Sequence, residues 1–172
     1  MKRRQILAAA LLVPLESLAQ TCGVITPRQT EGPFFTPKSP QRVSLLEGGE
    51  KSRILVIGTV LTAQCKPVPN ALLDFWHSDE QGAYDNRGFR YRGHQHADAQ
   101  GRYRLETIVP AEYPGRTRHI HVKVQAPRGR ILTTQVYFPG DPGNKRDGLY
   151  LPELELKRAK AGEGNFDFVV SV

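Results

Sequence analysis

Glycine and proline punctuate this chain too often for long helices to form. Its 172 residues carry 16 glycines and 13 prolines, and between them lie short stretches of alternating or β-branched residues with almost no helical periodicity. RILVIGTVLT (53–62) has the density of a buried strand, with Gly58 as a candidate bulge. CKPVPN is a turn. ALLDFWHS (71–78) is the next strand, with Leu72, Asp74 and Trp76 on one side and Leu73, Phe75 and His77 on the other. RYRLETIVP (102–110) is a further strand, and HIHVKVQAP (119–127) and ILTTQVYFP (131–139) form a hairpin around Arg128, Gly129 and Arg130. NFDFVVSV closes the chain as a terminal strand. DEQGAYDNRGFRYRGHQHADAQG reads as a long polar connection with four glycines, and loops of that length inside a compact domain are usually functional. GDPGNKRDGLYLPELELKRAKAGEG reads as loop with about one helical turn. The expected fold is all-β: an antiparallel β-sandwich with long functional loops and little helix, one domain over residues 21–172.

The first twenty residues differ. Lys2, Arg3 and Arg4 precede the apolar run ILAAALLVPL, and SLAQ offers small residues for cleavage after Ala19. That is the layout of a secretory signal, and the run is too short for a membrane span. The adjacent arginines with Ile6 and Leu7 behind them resemble a twin-arginine signal, with an ordinary basic Sec signal as the alternative. Export to the periplasm or the exterior is expected. Cleavage would lower the basic and acidic counts from 24 and 17 to 21 and 16, and the net charge from +7 to +5. This charge favours anionic small molecules or acidic surfaces, or serves only solubility; no nucleic-acid motif accompanies it. Cys22 and Cys65 are the two cysteines. In an oxidising compartment they could bridge the mature N-terminus to the first hairpin, if their backbones come close enough.

The chemistry-bearing residues concentrate in RHIHVK (118–123). On a strand, His119 and His121 share a face with Lys123 and Gln125, so both imidazoles can reach one metal ion. A bare pair of this kind is as readily two solvated histidines. Arg116 stands just ahead, Tyr113 lies in the preceding connection, and Tyr84 sits in the glycine-rich loop, where a lone tyrosine would ordinarily just pack its ring.

Taken together, TEGPFF, GTVLTAQCKPVPNALLDFWHSDEQGAYDN, DAQGRYRLETIVPAEYPGRTRHIHVKV and LTTQVYFPGDP resemble the catalytic domain of intradiol ring-cleaving dioxygenases, the family of protocatechuate 3,4-dioxygenase and catechol 1,2-dioxygenase. The likeness covers roughly residues 26–142. It implies a non-haem Fe³⁺ cofactor held by Tyr84, Tyr113, His119 and His121, with Arg116 and Gln135 acting on substrate. Phenolate is a hard anionic donor suited to Fe³⁺, and two phenolates with one hydroxide cancel its charge. The implied reaction takes a catecholic substrate and O₂, displaces Tyr113 from the metal, and opens the ring between the two hydroxyls to a cis,cis-muconate. Arg116 would stabilise developing negative charge, and Gln135 would orient the substrate. TEGPFF (30–35) is expected to cover the pocket, Trp76 and His77 to be core and rim, and Asp85 to point away from the metal. The second pair, His94 and His96, falls where the family has no ligand and is expected to be solvated or to line the entrance. An N-terminal helical region found in many members has no counterpart here, so the oligomeric state and the particular catechol stay open. Two rival readings remain: a secreted transthyretin-like binding module of similar fold without metal, and a zinc hydrolase using His119, His121 and an acid.

Overall fold

The computed structural model describes residues 22–172; the expected signal segment, 1–20, lies outside them. Nine strands build two sheets: β1 (Arg53–Thr62), β2 (Leu72–Trp76), β3 (Arg92–His96), β4 (Arg102–Ile108), β5 (His119–Gln125), β6 (Leu132–Tyr137), β7 (Lys157–Lys160), β8 (Glu163–Asn165) and β9 (Phe168–Val170). Two short 3₁₀ turns, Pro142–Lys145 and Pro152–Leu154, are the only helical elements among the described residues. One sheet runs β4-β1-β8-β7 with β9 also on β1; the other runs β3-β2-β5-β6. The all-β sandwich is therefore as expected, with one refinement: β8 and β9 both run parallel to β1.

Alternation decides which residues meet between the sheets. Leu73, Phe75, Ile120, Val122, Val124 and Val136 from the four-stranded sheet pack with Val56, Val60, Tyr103, Leu105 and Phe168 from the other, all at most 5% exposed. Each such aliphatic or aromatic side chain contributes roughly 1.5–3 kcal/mol when fully buried.

Four local expectations are corrected. Gly58 is not a bulge, because it pairs regularly with Tyr103. Its lack of a side chain lets the chain between β8 and β9 press against β1: a Cβ there would stand 1.8 Å from the Phe166 carbonyl oxygen. NFDFVVSV is accordingly not one strand. It breaks at this close approach, where Phe166 donates to Ile57 O at 3.0 Å and Asp167 accepts from Thr59 N at 2.7 Å. The long polar connection also contains a strand, β3, and the segment after β6 contains β7 and most of β8.

An extended segment of residues 26–42 straps the molecule from outside. Thr26 exchanges hydrogen bonds with Val169, Gln29 N donates to Thr133 O at 2.9 Å, and Arg42 N donates to His94 O at 2.9 Å. Cys22 and Cys65 are joined in a disulfide with their Cα atoms 5.1 Å apart, which pins the start of the strap to the β1–β2 turn.

Candidate metal centre

The face of the four-stranded sheet turned away from the core carries polar and aromatic side chains at the positions that alternate with core residues. Strand register aligns them in rows: Arg92, Trp76, His121 and Gln135 face one another across β3, β2, β5 and β6, and His119 stands opposite Tyr137. The i, i+2 spacing of the histidines thus becomes two imidazoles side by side, with their Nε2 atoms 3.0 Å apart.

Both rings are held. His119 donates from Nδ1 to the Thr117 carbonyl at 2.7 Å, which leaves its Nε2 lone pair free, as a metal ligand requires. His121 is stacked on Trp76, with ring centres 4.8 Å apart and planes 5° from parallel. Its Nδ1 is buried without a hydrogen-bond partner, so the Trp76 stack and the Nε2 contact with His119 hold this ring. Burial, reinforced for each ring by Arg116, drives both histidines to the neutral form: the pKa of His119 falls to about 4 and that of His121 well below its ordinary value, with His119 itself the next cause after burial for His121.

The two tyrosines arrive from loops that are stitched together. Asp79 accepts from Gln81 N and Ala83 N through its side chain and from Ala111 N through its carbonyl, while Ser78 Oγ donates to Ala111 O. These bonds tie the turn before Tyr84 to the segment before Tyr113. Gly82 makes the approach possible. Its φ is +82°, and a Cβ there would meet the Glu112 carbonyl oxygen at 2.4 Å. Beyond Tyr84, Asp85 accepts from Arg87 N, Gly88 N and Arg90 N, which holds its pKa down to about 2 and commits its carboxylate to the loop, away from the histidines. The rings of Tyr84 and Tyr113 are 5.6 Å apart, Tyr113 is 5.7 Å from His119, His119 is 4.6 Å from His121, and His121 is 6.2 Å from Tyr84. Four side chains from three separate stretches of sequence close a ring around one point.

Arg116 and Gln135 adjoin this ring. The guanidinium donates through Nε to both oxygens of Asp147, at 2.9 and 3.1 Å, reaches Tyr113 Oη at 3.5 Å and Tyr137 Oη at 3.3 Å, and contacts Gln135 Oε1. Gln135 in turn donates to Thr30 O at 3.0 Å and accepts from Tyr137 Oη at 2.9 Å. A cleft of about 310 Å³ opens beside Tyr113 and Arg116. A larger one, about 400 Å³, lies by the β7–β8 turn and touches none of the six.

The strap covers the centre as expected. Phe34 stacks on Tyr84 with centroids 4.3 Å apart, Phe35 packs on Trp76, and Gly32 passes over His121. Four contributors were missed in the sequence. Tyr137 shares a strand face with Gln135, and that spacing could have revealed it. Phe34 stood inside the segment expected to cover the pocket. Asp147 and Arg92 gave no local signal: the first lies 31 residues from its arginine. Arg92, only 1% exposed, donates to Phe34 O at 2.5 Å and Asp85 O at 2.9 Å, thereby joining the strap to the Tyr84 loop. His77 is core rather than rim, at 1% exposed.

The donor set suits a hard trivalent cation. Tyr84 Oη is buried with no hydrogen-bond partner, and burial raises its pKa above the ordinary phenol value; a highly charged cation reverses that preference and supplies the missing partner. A zinc hydrolase lacks its acid: among the described residues no three of His, Cys, Asp or Glu gather to hold a metal.

Comparison with known proteins points the same way. A family model described as dioxygenase matches residues 30–150. The catechol 1,2-dioxygenase of Acinetobacter baylyi is 31% identical over 155 residues, covering 73% of this chain and 50% of that protein. The protocatechuate 3,4-dioxygenase beta chain of Burkholderia cepacia is 38% identical over 124 residues, covering 62% and 53%. The chain thus spans about half the length of these relatives. Among solved structures, the dioxygenase domain of a dioxygenase carbohydrate-binding protein fusion from the cellulolytic bacterium Streptomyces sp. SirexAA-E superposes with a TM-score of 0.83 at 51% identity, over 87% of this chain and 99% of that one.

Proposed function

Because this chain belongs to the intradiol dioxygenase family, we propose that it binds non-haem Fe³⁺ through Tyr84, Tyr113, His119 and His121 and uses O₂ to cleave a catecholic ring between its two hydroxyls. The observation that carries the reading is the closed ring of two phenols and two neutral imidazoles, with one phenol oxygen buried and unpartnered. Overall, a catechol gains both atoms of one O₂, the carbon–carbon bond between the hydroxyl-bearing carbons breaks, and a cis,cis-muconate-type diacid results. The ferric ion, when bound, supplies the Lewis acidity and redox access that let a bound catecholate react with O₂.

The protein's own part is positioning and charge. Tyr113, on its four-residue turn to Arg116, would give way to the incoming substrate and take up one of its protons at Oη. Tyr84, wedged between Phe34 and Tyr113, stays. Arg116, held by a buried carboxylate, presents a fixed cation where negative charge grows, and nothing needs to reorganise during the reaction. Gln135 is held at both ends of its amide and orients the ring oxygens. Phe34, Phe35 and the strap backbone exclude water from the metal-facing side. The disulfide further supports export to an oxidising compartment, as the signal segment suggests.

The test is to incubate iron-loaded protein with a panel of catechols under air, following oxygen uptake, muconate absorbance and incorporation of both oxygen atoms. The pure holoprotein should be red-brown from tyrosinate-to-iron charge transfer. Tyr84→Phe or His121→Ala should lose colour or iron, and Arg116→Ala should keep iron yet lose most turnover. A colourless, iron-free protein, cleavage beside the hydroxyls, or undiminished turnover in the arginine variant would each count against the reading.

A further inference from the structure

His94 and His96, the second histidine pair, lie on the same outer sheet face but in other rows. His94 aligns through Asp74 with Lys123, and His96 aligns through Leu72 with Gln125, two and four residues along β5 from His121. Neither was expected to bind anything. The structure gives them a more definite character.

Ser39, buried at 4% exposure, donates its hydroxyl to Asp74 Oδ1 at 2.7 Å and also touches His94 Nδ1 at 3.2 Å. A hydroxyl has one hydrogen, and it is spent on the carboxylate. The histidine contact must therefore run the other way, with Nδ1–H donating to Ser39 Oγ. His94 is thus fixed in the tautomer whose Nε2 lone pair is free, the same device that orients His119 through Thr117. His96 stands two residues on along the same face, exposed, its ring perpendicular (89°) to that of His94 at 6.2 Å. The corresponding pair at His119 and His121 meets at 75° and 4.6 Å, so rotation of the exposed His96 side chain suffices to bring the two nitrogens onto one ion.

We propose that His94 and His96 form a second metal site, oriented by the Asp74–Ser39 chain, that takes a divalent cation of the borderline class. Imidazole suits copper, nickel and zinc, and the order of intrinsic affinities places copper(II) first. Asp74, the carboxylate opposite His94, is engaged by Ser39, and a site whose donors are imidazoles suits such a cation better than Fe³⁺, whose phenolate donors are gathered at the other centre. Water would fill the remaining positions and leave the ion open to exchange.

Iron-loaded protein titrated with copper(II) tests this by electron paramagnetic resonance, in which ferric and copper signals are separate, with the iron charge-transfer absorption monitored throughout. The expected result is one copper per chain, coupled to two imidazole nitrogens, with the iron absorption unchanged. His94→Asn and His96→Asn should each weaken binding at least tenfold, and Ser39→Ala or Asp74→Asn about tenfold, as loss of an orienting partner does. Copper binding that is indifferent to either histidine variant would mean adventitious binding elsewhere and overturn the proposal, as would copper uptake that bleaches the iron absorption. Undiminished affinity in both the serine and aspartate variants would overturn the orienting chain.

Discussion

His77 shows how much one buried polar side chain can do between the two sheets. Its Nδ1–H donates to Ser78 O at 2.7 Å, so its Nε2 accepts from Thr107 Oγ1 at 2.6 Å, and it is 1% exposed. Burial lowers its pKa from 6.5 to about 4. The folded protein therefore holds the neutral ring, while the unfolded chain takes up a proton once the pH drops below about 6.5. Its contribution is whole above pH 6.5 and is lost between there and about 4, to the extent of about 3 kcal/mol. Denaturant melts at stepped pH should show this loss in the parent protein, and the stability gap between the parent and His77→Gln should narrow across that window. A gap that stays constant with pH would show that this proton is not what folding excludes. Sequence reading treated His77 as rim because its strand face was visible but its partner, thirty residues on, was not. The six site residues were legible for the opposite reason: each sits in a stretch whose order resembles a known family, whereas Asp147 and Arg92 act only through contacts that folding creates.

At the scale of elements, strands with an apolar alternation were read almost to the residue. RILVIGTVLT is β1 from end to end, and the β5–β6 hairpin turns where expected. Those missed, β3, β7 and β8, are polar sequences. RGHQH reads as loop because one face of β3 carries Gly93 and Gln95 where a core strand would carry large apolar residues, and because its free edge is completed by the strap. A Cβ at Gly93 would stand 2.8 Å from Arg42 Cγ and 2.7 Å from Leu45 Cδ2, so a side chain there would displace the strap's end from the edge. The two tyrosine loops make a sharper prediction. Gly82→Ala adds a methyl group at a position with φ +82° that would stand 2.4 Å from Glu112 O. The variant should lose about 1–3 kcal/mol of stability, and because the displaced backbone is the bridge between Tyr84 and Tyr113, its iron content or charge-transfer absorption should fall as well. Normal iron loading with normal colour would show that the loops are registered by other contacts.

For the molecule as a whole, the covalent link between Cys22 and Cys65 closes 43 residues of separation. By loop entropy alone such a link stabilises the fold by about 4 kcal/mol, a large share of the 5–15 kcal/mol that typical domains possess. Reduction, or Cys65→Ser, should lower the melting temperature by several degrees, and hydrogen exchange should rise first around residues 22–29, where the strap's anchoring bonds to Val169 and Thr133 lie. Unchanged exchange there after reduction would mean that those hydrogen bonds alone hold the strap. The four-stranded sheet itself divides labour by parity. On each strand one alternating set of residues faces the partner sheet and keeps the protein folded; the other set faces the strap and holds reactive groups. A single-residue insertion or deletion within β5 would exchange the two roles at once and forfeit both.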